Sequence, residues 1–181
     1  MIKQASALMA IVAAVAMFGC VSQKTYDRDM GLERQINQQL ESEVQSDQVQ
    51  ITRLQDRLRV SVEGQILFGT GSAALHPRGK ALLDKLVPTL QSATDHRIEV
   101  EGYTDDVPIG KHLKKKYKSN WELSAARAAS VVEYLQMKGI DPSRLTAAGH
   151  SQYQPTDANT TAAGRAENRR TDIDLVPIHT Q

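Results

Sequence analysis

Cysteine and aromatic residues are scarce in this chain of 181 residues, and long apolar runs and net charge are nearly absent. A single cysteine excludes an internal disulfide framework and a cysteine-based zinc cluster. Aromatic residues make up 4% of the chain, so we expect an aliphatic, alanine-rich core. The formal net charge of +1 gives no electrostatic footprint for nucleic acid. No apolar run reaches the roughly 20 residues of a spanning helix. The length suits one domain with an appendage.

Residues 1–19 have the pattern of a signal peptide. One basic residue, Lys3, precedes an apolar core over residues 5–18, and such cores usually hold ~7–15 residues. The only cysteine, Cys20, follows directly after this segment. The pattern therefore predicts cleavage before Cys20 and export of the remaining chain.

The sequence around the cysteine is similar to a bacterial lipobox, Met17-Phe18-Gly19-Cys20. That resemblance implies that Cys20 becomes the lipidated first residue of the mature chain. Val21 follows it in place of the Asp that retains lipoproteins in the inner membrane, so the resemblance implies the outer membrane. The alternative is a plain secretory signal with an incidental cysteine.

Residues 20–57 are interpreted as the lipidated N terminus and a polar helical spacer. The spacer is rich in Gln, Glu, Asp and Arg and contains no proline. Its apolar residues follow one narrow helical stripe: Leu32, Ile36, Leu40, Val44, Ile51, Leu54 and Leu58. Such a stripe is typical of a coiled-coil seam, as in a homodimer through residues 30–58, or of a weakly docked helix. A partly disordered tether is the alternative. About 25 helical residues would span roughly 40 Å.

Residues 58–178 alternate between strand and helix patterns. Strands are expected at 59–62, 65–68, 97–102, 145–149 and 171–176. One helix begins at Pro77, with Pro88 expected to kink or end it. A second follows the capping box Ser119–Glu122 and stops at Gly139, and a short third covers 162–168. With the neighbouring segments 59–62 and 65–68 counted together, the order β-α-β-α-β-α-β predicts an α/β fold of the α+β sandwich kind, with helices packed on a mixed sheet.

Four motifs occur in one order along this region. They are Gly102-Tyr103-Thr104-Asp105; Asn120 with Leu123, Ser124, Arg127 and Ala128; Gly149 with Ser151 and Pro155; and Asn168-Arg169-Arg170, with Phe68 to Ser72 and Leu75 ahead of them. Together they resemble the OmpA-like peptidoglycan-binding domain, across about residues 60–177. The stretch 103–128 is most similar to the variant in MotB-type flagellar stator proteins. The chain lacks the stators' membrane helix with its proton-handling Asp, so the resemblance implies wall binding and not ion-driven torque.

A wall-binding domain of this family is expected to hold the diaminopimelate of the stem peptide, whose side chain ends in an ammonium and a carboxylate. Asp105 follows a predicted strand at its carboxyl end, where α/β folds place ligands. Arg127 shares a helix face with Asn120 and Ser124 and can bind a carboxylate bidentately. The resemblance assigns Asp105 to the ammonium and Arg127 to the carboxylate. It also implies pocket-lining roles for Asn120, Thr104, the backbone of Leu123, and the turn Gly69-Thr70. The alternative is a structural Asp105–Arg127 ion pair.

The remaining charged groups receive structural interpretations. Lys111, Lys114, Lys115, Lys116 and Lys118 indicate a solvated, mobile insertion, with contact to anionic lipid or wall polymer as the alternative. Arg169 and Arg170 are interpreted as locking the last strand, with steering of anionic glycan-peptide as the alternative. The five histidines lack metal-ligand spacing, and Asp105-Asp106 has no third ligand. We expect no metal and no cofactor.

These patterns favour a non-catalytic outer-membrane lipoprotein that faces the periplasm and ties the membrane to diaminopimelate-type peptidoglycan, with no nucleic-acid partner. An alternative is a wall-anchoring subunit of a larger envelope machine, such as a flagellar motor or secretion complex. A cell-wall hydrolase is less favoured, because Ser124 has no histidine in its motif to activate it.

Overall fold

The computed structural model describes residues 23–111 and 113–178. The predicted signal peptide and Cys20 lie outside the described residues, so both remain predictions. None of the described helices is long and apolar enough to cross a membrane. The chain divides into two units, with the boundary between Leu32 and Glu33.

Six α-helices and five strands make up the described chain. The helices are α1 (Gln23–Gln39), α2 (Glu41–Gln45), α3 (Gly64–Leu67), α4 (Pro77–Ser92), α5 (Asn120–Met137) and α6 (Ala162–Asn168). The strands are β1 (Val49–Arg53), β2 (Leu58–Glu63), β3 (His96–Gly102), β4 (Leu145–Gly149) and β5 (Arg170–Pro177). Short 3-10 turns lie at Leu113–Lys115 and Pro142–Arg144.

The strands form one mixed sheet in the order β1-β2-β5-β3-β4. All neighbouring strands are antiparallel except β3 and β4, which run parallel and are joined through α5. The predicted mixed sheet with packed helices is confirmed. The apolar core includes Val60, Ile98, Val100, Ile173 and Leu175 from the strands and Leu83, Leu86, Val131 and Leu135 from α4 and α5.

The other face of the sheet is charged. Because side chains alternate along a strand, Arg59, Glu99, Glu101, Asp172 and Asp174 fall on the side away from the core. Arg59 contacts Asp174 at 2.6 Å, Glu101 at 3.0 Å and Asp172 at 3.2 Å. This charged face is therefore a connected ion-pair network.

The predicted spacer is helical only in its first part. After Gln45 the chain turns and enters β1, which pairs with β2 from Val49↔Val62 to Arg53↔Leu58. The prediction that one helical stripe continues through Ile51 and Leu58 is therefore wrong. The sequence Val49-Gln-Ile-Thr-Arg53 also alternates with period two, and pairing with β2 satisfies its backbone.

The early part of the stripe packs within its own chain. Ile36 and Leu40 are fully buried, and Gln39 accepts a hydrogen bond from Thr89 of α4 at 2.9 Å. Residues 33–57 thus belong to the same compact unit as the sheet. Burial of Ile36 and Leu40 also removes the exposed seam on which the homodimer prediction rested.

One other local prediction is wrong, and of the two effects expected of Pro88, a kink or an end of the helix, the end does not occur. Residues 65–68 were expected as a strand, but Gly64–Leu67 forms one helical turn, and Phe68 makes only an isolated bridge to Leu75. Pro88 does not end α4, which continues to Ser92. Burial of Leu86, Thr89 and Leu90 holds this last turn against the core, which offsets the hydrogen bond that proline removes.

Candidate functional site

The site forms where α5 begins against the carboxyl ends of β3 and β4. A Cβ atom on Gly102 would collide with the carbonyl oxygen of Ser124, and one on Gly149 would collide with the backbone of Ala125. Only glycine permits this approach of helix to sheet. As a result, Thr104 and Asp105, which follow β3, lie beside the first turns of α5.

The start of α5 is fixed by the predicted cap. Ser119 Oγ accepts a hydrogen bond from the backbone N–H of Glu122 at 3.4 Å. Glu122 Oε2 in turn accepts from the N–H of Lys118 at 2.6 Å, one residue before the position of a standard capping box. The cap ends the 106–118 segment and sets the rotation of the helix face that carries Arg127.

Arg127 is a buried cation without a carboxylate partner among the described residues. It is 7% exposed. Its Nε donates to the carbonyl oxygen of Ser72 at 2.9 Å, and its guanidinium lies 5.2 Å from the ring centroid of Phe68. Burial lowers the pKa of Arg127, and the nearby Asp105 acts in the opposite direction. Desolvation of a charge without a counter-ion is unfavourable, so the guanidinium is suited to an anionic ligand.

Asp105 pairs with Arg169, not with Arg127. Its Oδ2 lies 2.7 Å from Arg169 Nη1, and its Oδ1 accepts from the N–H of Val107 at 3.2 Å. The two residues predicted to grip one ligand therefore lie in one electrostatic neighbourhood, but they do not form the structural ion pair considered as an alternative.

Asn120 and Thr104 shape the turn that presents Asp105. Asn120 Nδ2 donates to the carbonyl oxygen of Val107 at 3.0 Å and to that of Asp105 at 3.4 Å. Thr104 Oγ1 donates to the carbonyl oxygen of Asp105 at 2.9 Å, while its N–H donates to that of Ser151 at 2.8 Å. Both predicted lining residues thus hold the backbone around Asp105.

The turn Gly69-Thr70 lies next to Arg127. The N–H of Ser72 donates to the carbonyl oxygen of Gly69 at 3.0 Å, and the carbonyl of Ser72 receives Arg127 Nε. Thr70 is exposed at the edge of this turn. The structure therefore places this predicted segment beside the guanidinium.

Leu123 contributes to the site through its packing and not through a free backbone amide. Its N–H donates to the carbonyl oxygen of Ser119 at 3.1 Å, so this amide is already used inside the helix. Its side chain joins a buried apolar cluster with Ala73, Ile109 and Tyr117. The cluster anchors the 106–118 segment, which is more than a solvated insertion, although its described lysines are all exposed.

Arg169 is the site residue that sequence reasoning assigned elsewhere. It was interpreted as locking the last strand, a role that Arg170 performs instead: Arg170 Nε lies 3.2 Å from Asp172 Oδ2, and its guanidinium stacks 3.8 Å from the centroid of the Tyr103 ring. The adjacent Arg169 projects to Asp105. The motif Asn168-Arg169-Arg170 was the available signal, but it could not say which arginine takes which role.

Residues 67–169 match the family model described as OmpA family, which is more than half of the chain. The chain belongs to the OmpA family. One curated relative, the probable lipoprotein YiaD of Escherichia coli (strain K12), is 34% identical over 130 residues, which cover 72% of this chain and 56% of that protein. The chain spans about half the length of the curated relatives it matches.

Two solved structures share the fold. A MotB-like protein from Desulfovibrio vulgaris has a TM-score of 0.76 at 26% identity, over 83% of this chain and 95% of that one. The cell wall anchor of the T6SS from Pseudomonas aeruginosa has a TM-score of 0.70 at 31% identity, over 78% and 96%. These likenesses confirm the OmpA-like fold and its MotB-type variant.

Proposed function

We propose that this chain is a non-catalytic lipoprotein of the outer membrane that binds peptidoglycan through the diaminopimelate of the stem peptide. One observation carries the proposal: Arg127 is buried and charged, yet no carboxylate among the described residues lies within 4 Å of it. The carboxylate of diaminopimelate supplies the missing counter-ion, and the planar guanidinium can take it in two parallel hydrogen bonds.

The ammonium of the same zwitterion goes to Asp105. A carboxylate has about four acceptor positions, and Arg169 and the N–H of Val107 occupy only two of them. The ammonium can therefore share Asp105 with Arg169 without breaking that ion pair. Two arginines around one aspartate leave the site net positive, which favours a ligand that also carries a carboxylate.

The comparisons support wall binding as the role of this fold. One structural relative is named a cell wall anchor, and one curated relative is named a probable lipoprotein. Binding without catalysis agrees with the surroundings of Ser124, whose Oγ donates to the carbonyl of Trp121 and accepts from the N–H of Ser151. That hydroxyl is committed to the loop, with no base among its described partners.

Binding of matched muropeptides, measured by calorimetry, tests the proposal. We expect stems with diaminopimelate to bind at least tenfold more tightly than stems with lysine, since a lost charged hydrogen bond is worth on the order of 1.5–3 kcal/mol. Arg127→Ala should abolish this discrimination, and Asp105→Asn should weaken both ligands. Arg97→Ala, which removes an exposed arginine from β3, serves as the control. Equal affinity of the wild type for both stems would place the pocket elsewhere.

The second candidate function is a wall-anchoring subunit of an envelope machine, which the MotB-like and T6SS relatives favour. Affinity capture from the native bacterium with the full chain, and with a variant lacking residues 23–32, tests it. Loss of one defined set of partners in the variant, with wall binding unchanged, would support the machine. Partners that do not differ between the two chains would argue against it.

A further inference from the structure

Two large aromatic side chains lie exposed and stacked beside the candidate site. Trp121, in the first turn of α5, and Tyr153, in the loop after β4, have ring centroids 5.4 Å apart at an interplanar angle of 29°. They are 50% and 65% exposed. Adjacent exposed aromatics of this size leave apolar area in water and mark interaction sites. We call this pair the aromatic platform.

The aromatic platform borders an open groove of about 310 Å³. Pro108 and Ile109 contribute apolar lining, and Lys114 and Lys118 contribute positive charge, with Asp106 as the one acidic residue in the lining. Volumes near 300 Å³ are at the lower end for small-ligand sites. The groove is therefore large enough for one ring-sized ligand and is net positive.

The groove continues from the pocket proposed for diaminopimelate. Asn120 lines the groove and at the same time donates to the carbonyl oxygens of Asp105 and Val107. Asn120 thus adjoins both sites. A ligand that fills the Asp105–Arg127 pocket has its neighbouring groups at the mouth of this groove.

We propose that the groove is a sugar subsite, in which an amino-sugar ring of the glycan strand stacks on the aromatic platform. The inference rests on the proposed function and extends it. A pyranose ring presents a face of C–H groups that suits the negative face of an aromatic ring. Only two stem residues separate the sugar's lactyl group from diaminopimelate: an alanine, which spans at most ~3.6 Å, and a γ-linked glutamate, which spans somewhat more. The sugar must therefore lie close to the pocket. Lys114 and Lys118 complement the free carboxylate of the intervening glutamate.

Two ligands with the same neutral N-terminal amide test the subsite: the diaminopimelate stem peptide with its N terminus acetylated, called the bare peptide, and the same peptide carried on its disaccharide. With full-length protein in detergent, we expect the disaccharide to increase affinity about tenfold. Trp121→Ala and Tyr153→Ala should each bring this ratio close to one while leaving the affinity for the bare peptide unchanged. Met137→Ala, which removes another exposed apolar side chain of α5, should leave the ratio intact.

Fluorescence gives a second readout, because Trp121 is the only tryptophan in the chain. Its emission should shift with the disaccharide ligand and not with the bare peptide. A wild-type ratio near one, or equal weakening of both ligands by Trp121→Ala, would overturn the subsite and leave the peptide pocket standing. Failure of the wild type to bind the bare peptide would instead overturn the proposed function itself. If the aromatic platform instead binds a protein partner, both aromatic variants should lose capture of that protein, and the disaccharide should not change the affinity of the wild type. That result would also overturn the subsite.

Discussion

Arg127 is a buried arginine and Arg144 is a half-buried one, and their surroundings differ. Burial lowers the pKa of both side chains. Arg144 is bonded to three carbonyl oxygens, those of Leu90, Ala93 and His96, at 2.6–3.0 Å. Arg127 has one such bond, to Ser72. A buried cation with few partners is a feature of binding sites, where stability is given up for ligand affinity.

This difference predicts opposite effects of the same substitution on stability. Arg127→Met should raise the free energy of unfolding by roughly 0.5–2 kcal/mol, because it removes a desolvated charge and keeps the apolar volume. The variant should also lose its preference for diaminopimelate stems over lysine stems. Urea denaturation followed by circular dichroism measures the first effect.

Arg144→Met is the matched control. It leaves three carbonyl groups without their donor, so it should lower the free energy of unfolding by about 1–3 kcal/mol. A clear loss of stability in Arg127→Met as well would show that Arg127 is a structural residue.

A second residue-scale prediction concerns Arg169, which is 42% exposed and pairs with Asp105. Arg169→Gln should weaken stem binding only a few-fold, since partly exposed ion pairs are worth about 0–1 kcal/mol. The preference for diaminopimelate over lysine should persist, because Arg127 still meets the carboxylate. Calorimetry with both stems checks this; loss of the preference would make Arg169 the carboxylate ligand.

At this scale the sequence predicted which residues gather but not how they pair. Asp105 and Arg127 could be placed near each other because one ends a strand and the other lies on the following helix. The Asp105–Arg169 pair joins residues 64 positions apart. Its formation depends on β5 lying between β2 and β3, an arrangement that local periodicity does not contain.

Among the elements, the sheet carries its charge in a single network on the face away from the core. Burial raises the pKa of Asp172 above its ordinary 3.8, although Arg170 and Arg59 oppose this. In contrast, a hydrogen bond from Arg57 lowers the pKa of the exposed Asp56. The two carboxylates therefore contribute to stability with opposite dependence on pH.

The stability of Asp172→Asn relative to the wild type should increase as the pH rises from about 3 towards neutrality. A folded-state pKa above the unfolded value means that ionisation of Asp172 costs stability as the pH rises through that pKa. For Asp56→Asn the sign is reversed, because the stability that Asp56 contributes is present above 3.8 and is lost as the pH falls. Denaturant titrations of the three proteins across this range measure both slopes; slopes of equal sign would contradict the assignment.

Strand β1 shows where element prediction failed and why. Val49 and Ile51 fit a strand, while Ile51, Leu54 and Leu58 continue the helical stripe, so the local pattern allowed both. The antiparallel pairing of β1 with β2 makes this segment a strand and not a continuation of the helix. The capping box at Ser119, the glycine after α5 and strands β2 to β5 were predictable because each has a local signal of its own.

A fragment of residues 58–178 should accordingly be less stable than one of residues 33–178. It loses β1, leaves the edge of β2 unpaired and removes the buried side chains of Ile36, Leu40 and Val49. Burial of one such side chain is worth roughly 1.5–3 kcal/mol, so we expect a loss of several kcal/mol or aggregation. Urea midpoints of the two fragments test this; equal midpoints would show that residues 33–57 are an appendage after all.

For the molecule as a whole, a tether needs two ends that work independently. The proposed wall end is built from Asp105, Arg127 and the groove beside them. The proposed membrane end is Cys20, and several acyl chains anchor stably where a single chain anchors only marginally. If both proposals hold, damage to one end must leave the other intact.

Cys20→Ser should therefore leave an unprocessed or soluble protein that still binds purified peptidoglycan with unchanged affinity. Arg127→Ala should give the reverse: a protein that stays in the membrane fraction but binds peptidoglycan at least tenfold more weakly, so that less of it sediments with the wall. Both single variants should weaken the attachment of the outer membrane to the wall. The double variant should not weaken it further, because loss of either end already prevents this protein from connecting the two layers. Membrane flotation, peptidoglycan sedimentation and mass spectrometry of the mature N terminus follow the two ends separately. An unmodified Cys20 in the mature wild type would contradict the lipid anchor and leave wall binding as a property of a secreted protein.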